Sequence, residues 1–195
     1  EKKEAPLFKN KNNSNENQNI SSQGFSVVTD QYNALISSLG GGSILNFELH
    51  SFKNDGYKYT GGYDEFGNYS KEITLSLSIP VANPCSPCLK SSIDDYFNVP
   101  FQIISPFISD GQTISLQGND SLVVVMEQTI NNQSVRKKMV FYGNKYIIKH
   151  DYILTNAPEN ISLAWDDGIK TTEKNLFEEL TYSSGYVAQS KEISS

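Results

Sequence analysis

Cysteine and histidine are the residues here best equipped for reaction chemistry, and each occurs only twice, as Cys85, Cys88, His50 and His150. The cysteines form the string Cys85-Ser86-Pro87-Cys88. In thioredoxin-like proteins such a string lowers a thiol pKa where the first cysteine caps a helix packed on a βαβ sheet. Here Pro84 and Pro87 bracket a turn, and the preceding Pro80-Val81-Ala82-Asn83 carries no βαβ pattern. Zinc needs two further soft ligands, and the chain has no other cysteine. A local disulfide, or a pair of inert thiols, therefore outweighs redox or metal chemistry, and Cys85 and Cys88 are the candidate pair.

Neither imidazole carries a motif that would orient it as a general base. His50 falls on the polar face of an alternating segment and His150 lies between Lys149 and Asp151, so both read as surface side chains. The chain has no Gly-x-Ser-x-Gly, no phosphate loop and no dinucleotide fingerprint. Gly40-Gly41-Gly42 joins two strand-like segments and opens no helix, which makes it a turn and not a phosphate cradle. Between residues 55 and 70, Tyr57, Tyr59, Tyr63, Phe66 and Tyr69 alternate with glycines. Such aromatics stack on sugars or peptides, but without accompanying carboxylate pairs an ordinary long hairpin loop is the better reading. The residues therefore predict no catalytic group, no metal and no cofactor, and a chain that is not an enzyme.

The elements that would position these residues are strands. Leu45, Phe47 and Leu49 alternate with Asn46, Glu48 and His50, and Ile73, Leu75, Leu77 and Ile79 alternate with Thr74, Ser76 and Ser78 before Pro80. Leu122 to Met126 is a continuous apolar run, as in a strand covered on both faces. Val135 to Phe141 and Tyr146 to Leu154 flank a turn at Tyr142-Gly143-Asn144-Lys145 and read as a hairpin. Ile161 to Trp165 and Tyr182 to Ala188 read as later strands, with a short helix over Thr172 to Leu180 between them. Residues 1 to 24, where Asn10, Asn12, Asn13, Asn15, Asn17 and Asn19 dominate, have too little apolar surface to offset ordering and read as a disordered linker. Residues 25 to 195 then form one antiparallel all-β domain.

Charge narrows the partners. A net charge of −6, from 16 Lys and Arg against 22 Asp and Glu, disfavours nucleic acid, which demands a concentrated basic face. The longest basic run, Arg136-Lys137-Lys138, reads as a solvated strand face or edge. No stretch approaches the roughly 20 apolar residues of a membrane helix.

Three strings resemble a known family. FSVVTDQYNALISSLGGGSILNFELHSF, residues 25 to 52, is similar to the opening of the large periplasmic domain in the YidC family of bacterial membrane protein insertases. VRKKMVFYGNKYIIKHDYILTN, residues 135 to 156, resembles that family's K-x-F-x-F-x-G-x-x-Y-x-I-x-x-x-Y-x-x-x-N hairpin. LAWDDGIKTTEKNLFEELTYSSGYVAQSKEI, residues 163 to 193, resembles its W-x-x-G-(L/I)-x-x-T-E segment and the strand after it. The strings keep the family's order, whereas residues 55 to 120, with both cysteines, match no family motif.

The resemblance implies a galactose-mutarotase-like β-supersandwich without sugar chemistry, and an excised fragment whose first 24 residues follow an absent transmembrane helix. It implies a location in the periplasm at the bacterial inner membrane, held there only through absent transmembrane segments. It also implies docking on the Sec translocon components SecDF and SecYEG, with nascent membrane or secreted polypeptides as further partners, through residues the strings do not identify. The rival is a carbohydrate-binding or mutarotase-like protein on the same scaffold, which would pair His50 or His150 with a carboxylate such as Glu127 or Glu173.

Overall fold

A computed structural model describes residues 21–51, 57–64, 66–78, 84–91, 99–130, 133–156, 160–165, 169, 170, 172, 174, 175 and 177. Among them the regular structure is all β. In chain order the strands are β1 (Gly24–Val28), β2 (Tyr32–Ser37), β3 (Ser43–Ser51), β4 (Tyr57–Lys58), β5 (Thr60–Tyr63), β6 (Tyr69–Thr74) and β7 (Cys88–Ser91). They continue with β8 (Gln102–Ser105), β9 (Gln112–Ser115), β10 (Ser121–Ile130), β11 (Gln133–Tyr142), β12 (Ile148–Thr155) and β13 (Ile161–Ala164).

Two larger sheets carry the core. One runs β4-β3-β2-β1-β9 and the other β12-β11-β10-β8, while β13-β7 and β5-β6 form two-stranded ribbons. Neighbours are antiparallel except β1 and β9, which pair in parallel from Phe25↔Gln112 to Val28↔Ser115. The inward residues of both sheets meet in one apolar cluster: Phe25, Val27 and Ile36 from the first, Val124, Met126, Met139 and Phe141 from the second. Phe25 and Phe141 touch edge to face with centroids 6.4 Å apart.

The glycine turn is tucked between these sheets. Gly41 and Gly42 take φ of 76° and 98°, which side-chain-bearing residues rarely adopt. A Cβ on Gly41 would lie 3.0 Å from the Phe101 ring, and one on Gly42 would lie 3.1 Å from Met126 Sδ. Only a turn without side chains lets β2 and β3 sit this close to the second sheet.

Several strand expectations hold with shifted bounds. The aromatic-rich stretch forms the β5-β6 hairpin, with Asp64 Oδ1 accepting from the Phe66 and Asn68 amides in its turn. The segment after it enters as β6 at Tyr69, ends at Thr74, and continues as single bonds onto β3, among them Leu77 N to Phe47 O at 2.9 Å. The helix expected over 172 to 180 and the strand expected over 182 to 188 lie largely or wholly outside the described residues.

Four expectations are corrected. Leu122 to Met126 is not covered on both faces: Val124 and Met126 are 0% exposed, but Val123, between Leu122 and Val124, is 41% exposed on the outer face. Leu45 does not share a face with Phe47 and Leu49, because a β-bulge pairs Leu35 with Asn46 and Ile36 with Ile44 and skips it. His50 is not a surface residue: it is 7% exposed, and its Nε2–H donates to Thr29 O at 2.7 Å. The turn over residues 29–31 covers the end of the face that looked polar, with His50 N donating to Gln31 O at 2.9 Å. Finally, the basic run is split by the pleat. Arg136 and Lys138 face outward, and Lys137 between them is 0% exposed.

Candidate functional site: a buried lysine beside an apolar cleft

The site begins with the alternation of β11. Val135, Lys137, Met139 and Phe141 all point inward and all are 0% exposed, so the lysine occupies a core position. Register across to β12 sets Lys137 opposite Tyr152 and Met139 opposite His150. Strand pleating therefore gathers Lys137, Tyr152 and His150 on one buried face.

An enclosed ammonium is costly unless its donors are used. Lys137 Nζ donates to Gly42 O at 3.0 Å and to Pro87 O at 2.8 Å, and lies 5.1 Å from the Tyr152 ring centroid. Tyr152 Oη donates to the same Pro87 O at 3.0 Å. Burial pushes the Lys137 ammonium down to about 7, and it raises the Tyr152 phenol above its ordinary range. His150 is pushed down to about 3, first by burial and then by the Lys137 charge, with Asp151 opposing. At neutral pH the imidazole is uncharged.

Pro87 reaches the lysine because its loop is clasped to β3. Ser43 Oγ donates to Pro84 O at 2.9 Å, Ser86 Oγ donates to Ile44 O at 3.0 Å, and Ile44 N donates back to Ser86 O at 3.1 Å. Within the loop Cys85 and Cys88, 1% and 0% exposed, are joined by a disulfide. Both sulfurs are thereby bonded to each other, and neither offers a thiolate to a substrate or metal. Among the described residues no three His, Cys, Asp or Glu side chains gather where they could hold a metal ion.

Beside this cluster lies an apolar cleft of about 230 Å³. Ile44 and Phe47 of β3, Leu77, Ile148 and His150 of β12, and Trp165 wall it, and Ser86 brings the disulfide loop to its edge. His150 is one of the wall residues, and its Nδ1 is buried out of reach of solvent with no hydrogen-bond partner. Trp165 is 50% exposed at the rim.

The sugar-type pairing of imidazole and carboxylate is not assembled among the described residues. Glu127 sits opposite Arg136 and accepts from its Nε at 2.7 Å on the outer face of the second sheet. His150 lies on the inner face of that sheet, and His50 is bound to Thr29 O. Glu173 lies outside the described residues. His150, expected at the surface, is half-buried because the disulfide loop and β3 cover the inner face of β12.

Sequence reasoning missed Lys137 and the cleft. The signal for the lysine was present in the period of two: Val135, Met139 and Phe141 share its parity, so the same alternation that buries them buries it. The cleft had no local signal, since its walls come from stretches between residues 44 and 169. No family model matches the chain, and neither a curated protein nor a solved structure matches it.

Proposed function

We propose that this chain is a non-catalytic periplasmic domain of a YidC-type membrane protein insertase, aiding Sec-associated insertion and folding by docking SecDF and SecYEG. The observation that carries the reading is the ordered run of three family-like strings. The first spans β1 to β3 and the second spans most of β11 and β12, so the likeness falls on strands that supply the core rather than on loops. The disulfide supports an oxidising compartment such as the periplasm. Support for a non-catalytic role comes from side chains already committed to structure: Glu127 to Arg136, His50 to Thr29, and Lys137 to two carbonyls.

The test is recovery of SecDF and SecYEG from bacterial membranes by the full-length insertase, compared with a version lacking residues 25 to 195. Docking through this domain is expected to cut SecDF recovery severalfold on deletion. Equal recovery removes the docking role. An aldose mutarotation assay on the purified domain separates the carbohydrate alternative, which requires turnover that disappears with His50→Ala or His150→Ala.

A further inference from the structure

We propose that the outer edge of β12 is an interface with a second copy of this chain, the two strands pairing antiparallel about a two-fold axis at His150. The inference stands apart from the insertase reading and rests on an open edge and the order of side chains along it.

β12 ends its sheet, and among the described residues no strand pairs with its other side. An outermost strand presents a row of backbone donors and acceptors that another strand can take up. At 8 residues β12 is the longest such edge of the two larger sheets, since β8 and β9 have 4 each and β4 has 2. Ile148, Tyr152 and Leu154 pack inward against the core, which leaves Lys149, Asp151 and Ile153 on the outer face. Ile147, just before the strand, shares their parity, while Tyr146 and Ile148 on either side of it line the cleft. Ile147 and Ile153 are 60% and 59% exposed, and exposed branched side chains on a long open edge favour association.

The outer row, Ile147, Lys149, Asp151 and Ile153, is complementary to its own reverse. With His150 opposite His150, Lys149 meets Asp151 of the other copy and Ile147 meets Ile153 of the other copy, and the symmetry repeats each contact. On the inner row Ile148 falls opposite Tyr152. His150 is uncharged at neutral pH, so no like charges meet at the axis. Sliding one strand by two residues sets Lys149 against Lys149 or Asp151 against Asp151, and sliding it by one sets the outer row against the inner. The register is therefore specified. This complementarity of the row to itself is what selects a second copy over an unrelated strand. Within one chain Lys149 Nζ donates to Asp151 Oδ2 at 3.2 Å, an exposed pair worth little, so exchanging it across the axis costs little. The two four-stranded sheets then join into one continuous sheet.

Sedimentation equilibrium of the purified chain, up to about 1 mM, tests the interface, and a concentration-dependent dimer is expected. Lys149→Glu and Asp151→Lys should each weaken it about tenfold or more, because every opposite-charge contact becomes a like-charge one and the two-fold repeats it. An equimolar mixture of the two variants should dimerise again, since each copy then opposes the other's charges. Misfolding cannot produce that recovery. Amide hydrogen exchange of the wild-type chain at low and high concentration needs no variant, and slowing confined to β12 is expected. A wild-type chain that stays monomeric, a dimer indifferent to both single variants, a mixture of the folded variants that stays monomeric, or slowing of exchange elsewhere but not in β12 overturns the proposal. None of these readouts involves a Sec component, so failure here leaves the docking test standing, and the reverse.

Discussion

The inner faces of β1-β2 and β11-β12 border one core but are built on different chemistry. On the first, Phe25, Val27, Ala34 and Ile36 alternate with outward residues and all are 0% exposed, and the Tyr32 phenol is the one polar group that shares their face. On the second, the same alternation delivers Lys137, Tyr152 and His150 into the interior, where Lys137 and Tyr152 find partners in the disulfide loop and the glycine turn and His150 Nδ1 has none. The first face is held by shape and area, so its contribution is non-directional. The second is held by a few directed bonds that fix where one loop sits, and the cleft forms where that loop leaves a gap. The lesson is that a core position and an apolar position are different things: the pleat decides the first, and the partners available decide whether a polar side chain is tolerated there.

Truncation on the apolar face should have the largest effect. Phe25→Ala removes a fully enclosed ring in edge contact with Phe141, and a change of this kind costs about 3–5 kcal/mol. Urea denaturation should show the midpoint falling with little change in slope. A loss below about 1 kcal/mol would mean that the two sheets are not tied together through this ring.

Cutting the loop should cost less. The bridged cysteines are separated by 3 positions, so the closed loop is among the shortest, and the chain-entropy argument assigns it about 2 kcal/mol. The double variant Cys85→Ser with Cys88→Ser should therefore lower stability by about that amount, with the effect absent when the wild-type protein is measured under reductant. The loop also carries the Pro87 carbonyl that Lys137 and Tyr152 share. Loss of more than about 4 kcal/mol would show that the bridge is needed for the buried face to assemble at all.

How far this contrast could be read in advance depends on the kind of signal. The all-β class, the glycine turn and the hairpin of β11 and β12 are local, because period two and turn residues report on neighbours in sequence. Burial of His50 and the displacement of Leu45 are not local. One follows from the turn at residues 29–31 folding over the end of β3, and the other from a bulge whose extra residue changes the parity of the strand. Lys137 falls between these cases. Its parity was legible, but charge in a run of three basic residues outweighed parity, and only the carbonyls of Gly42 and Pro87 show why the interior accepts it. The cleft is the least legible feature, as its walls are assembled only by the tertiary fold.

The smallest effect at neutral pH, and the most discriminating, belongs to Lys137→Met. Methionine keeps the length and apolar stem but removes the charge, so the desolvation relieved and the hydrogen bonds lost oppose each other. The net change should stay within about 2 kcal/mol in either direction. The pH dependence carries the information. Lys137 is held at about 7 in the folded chain against an ordinary 10.5, so between those values the unfolded chain binds a proton that the folded chain lacks. Wild-type stability should therefore rise as pH increases from about 7 toward 10.5, and that rise should vanish in Lys137→Met. On the acid side His150, held at about 3 against 6.5, makes stability fall as pH drops below 6.5. Because the Lys137 charge is the second cause of that depression, after burial, the methionine variant should lose less on acidification than the wild type. Two changes in separate pH ranges from one substitution, a flattened alkaline limb and a shallower acid limb, follow only if the lysine and the imidazole face each other in the folded interior. A variant that shifted stability equally at every pH would place the Lys137 ammonium in solvent and return this face to the apolar pattern of β1 and β2.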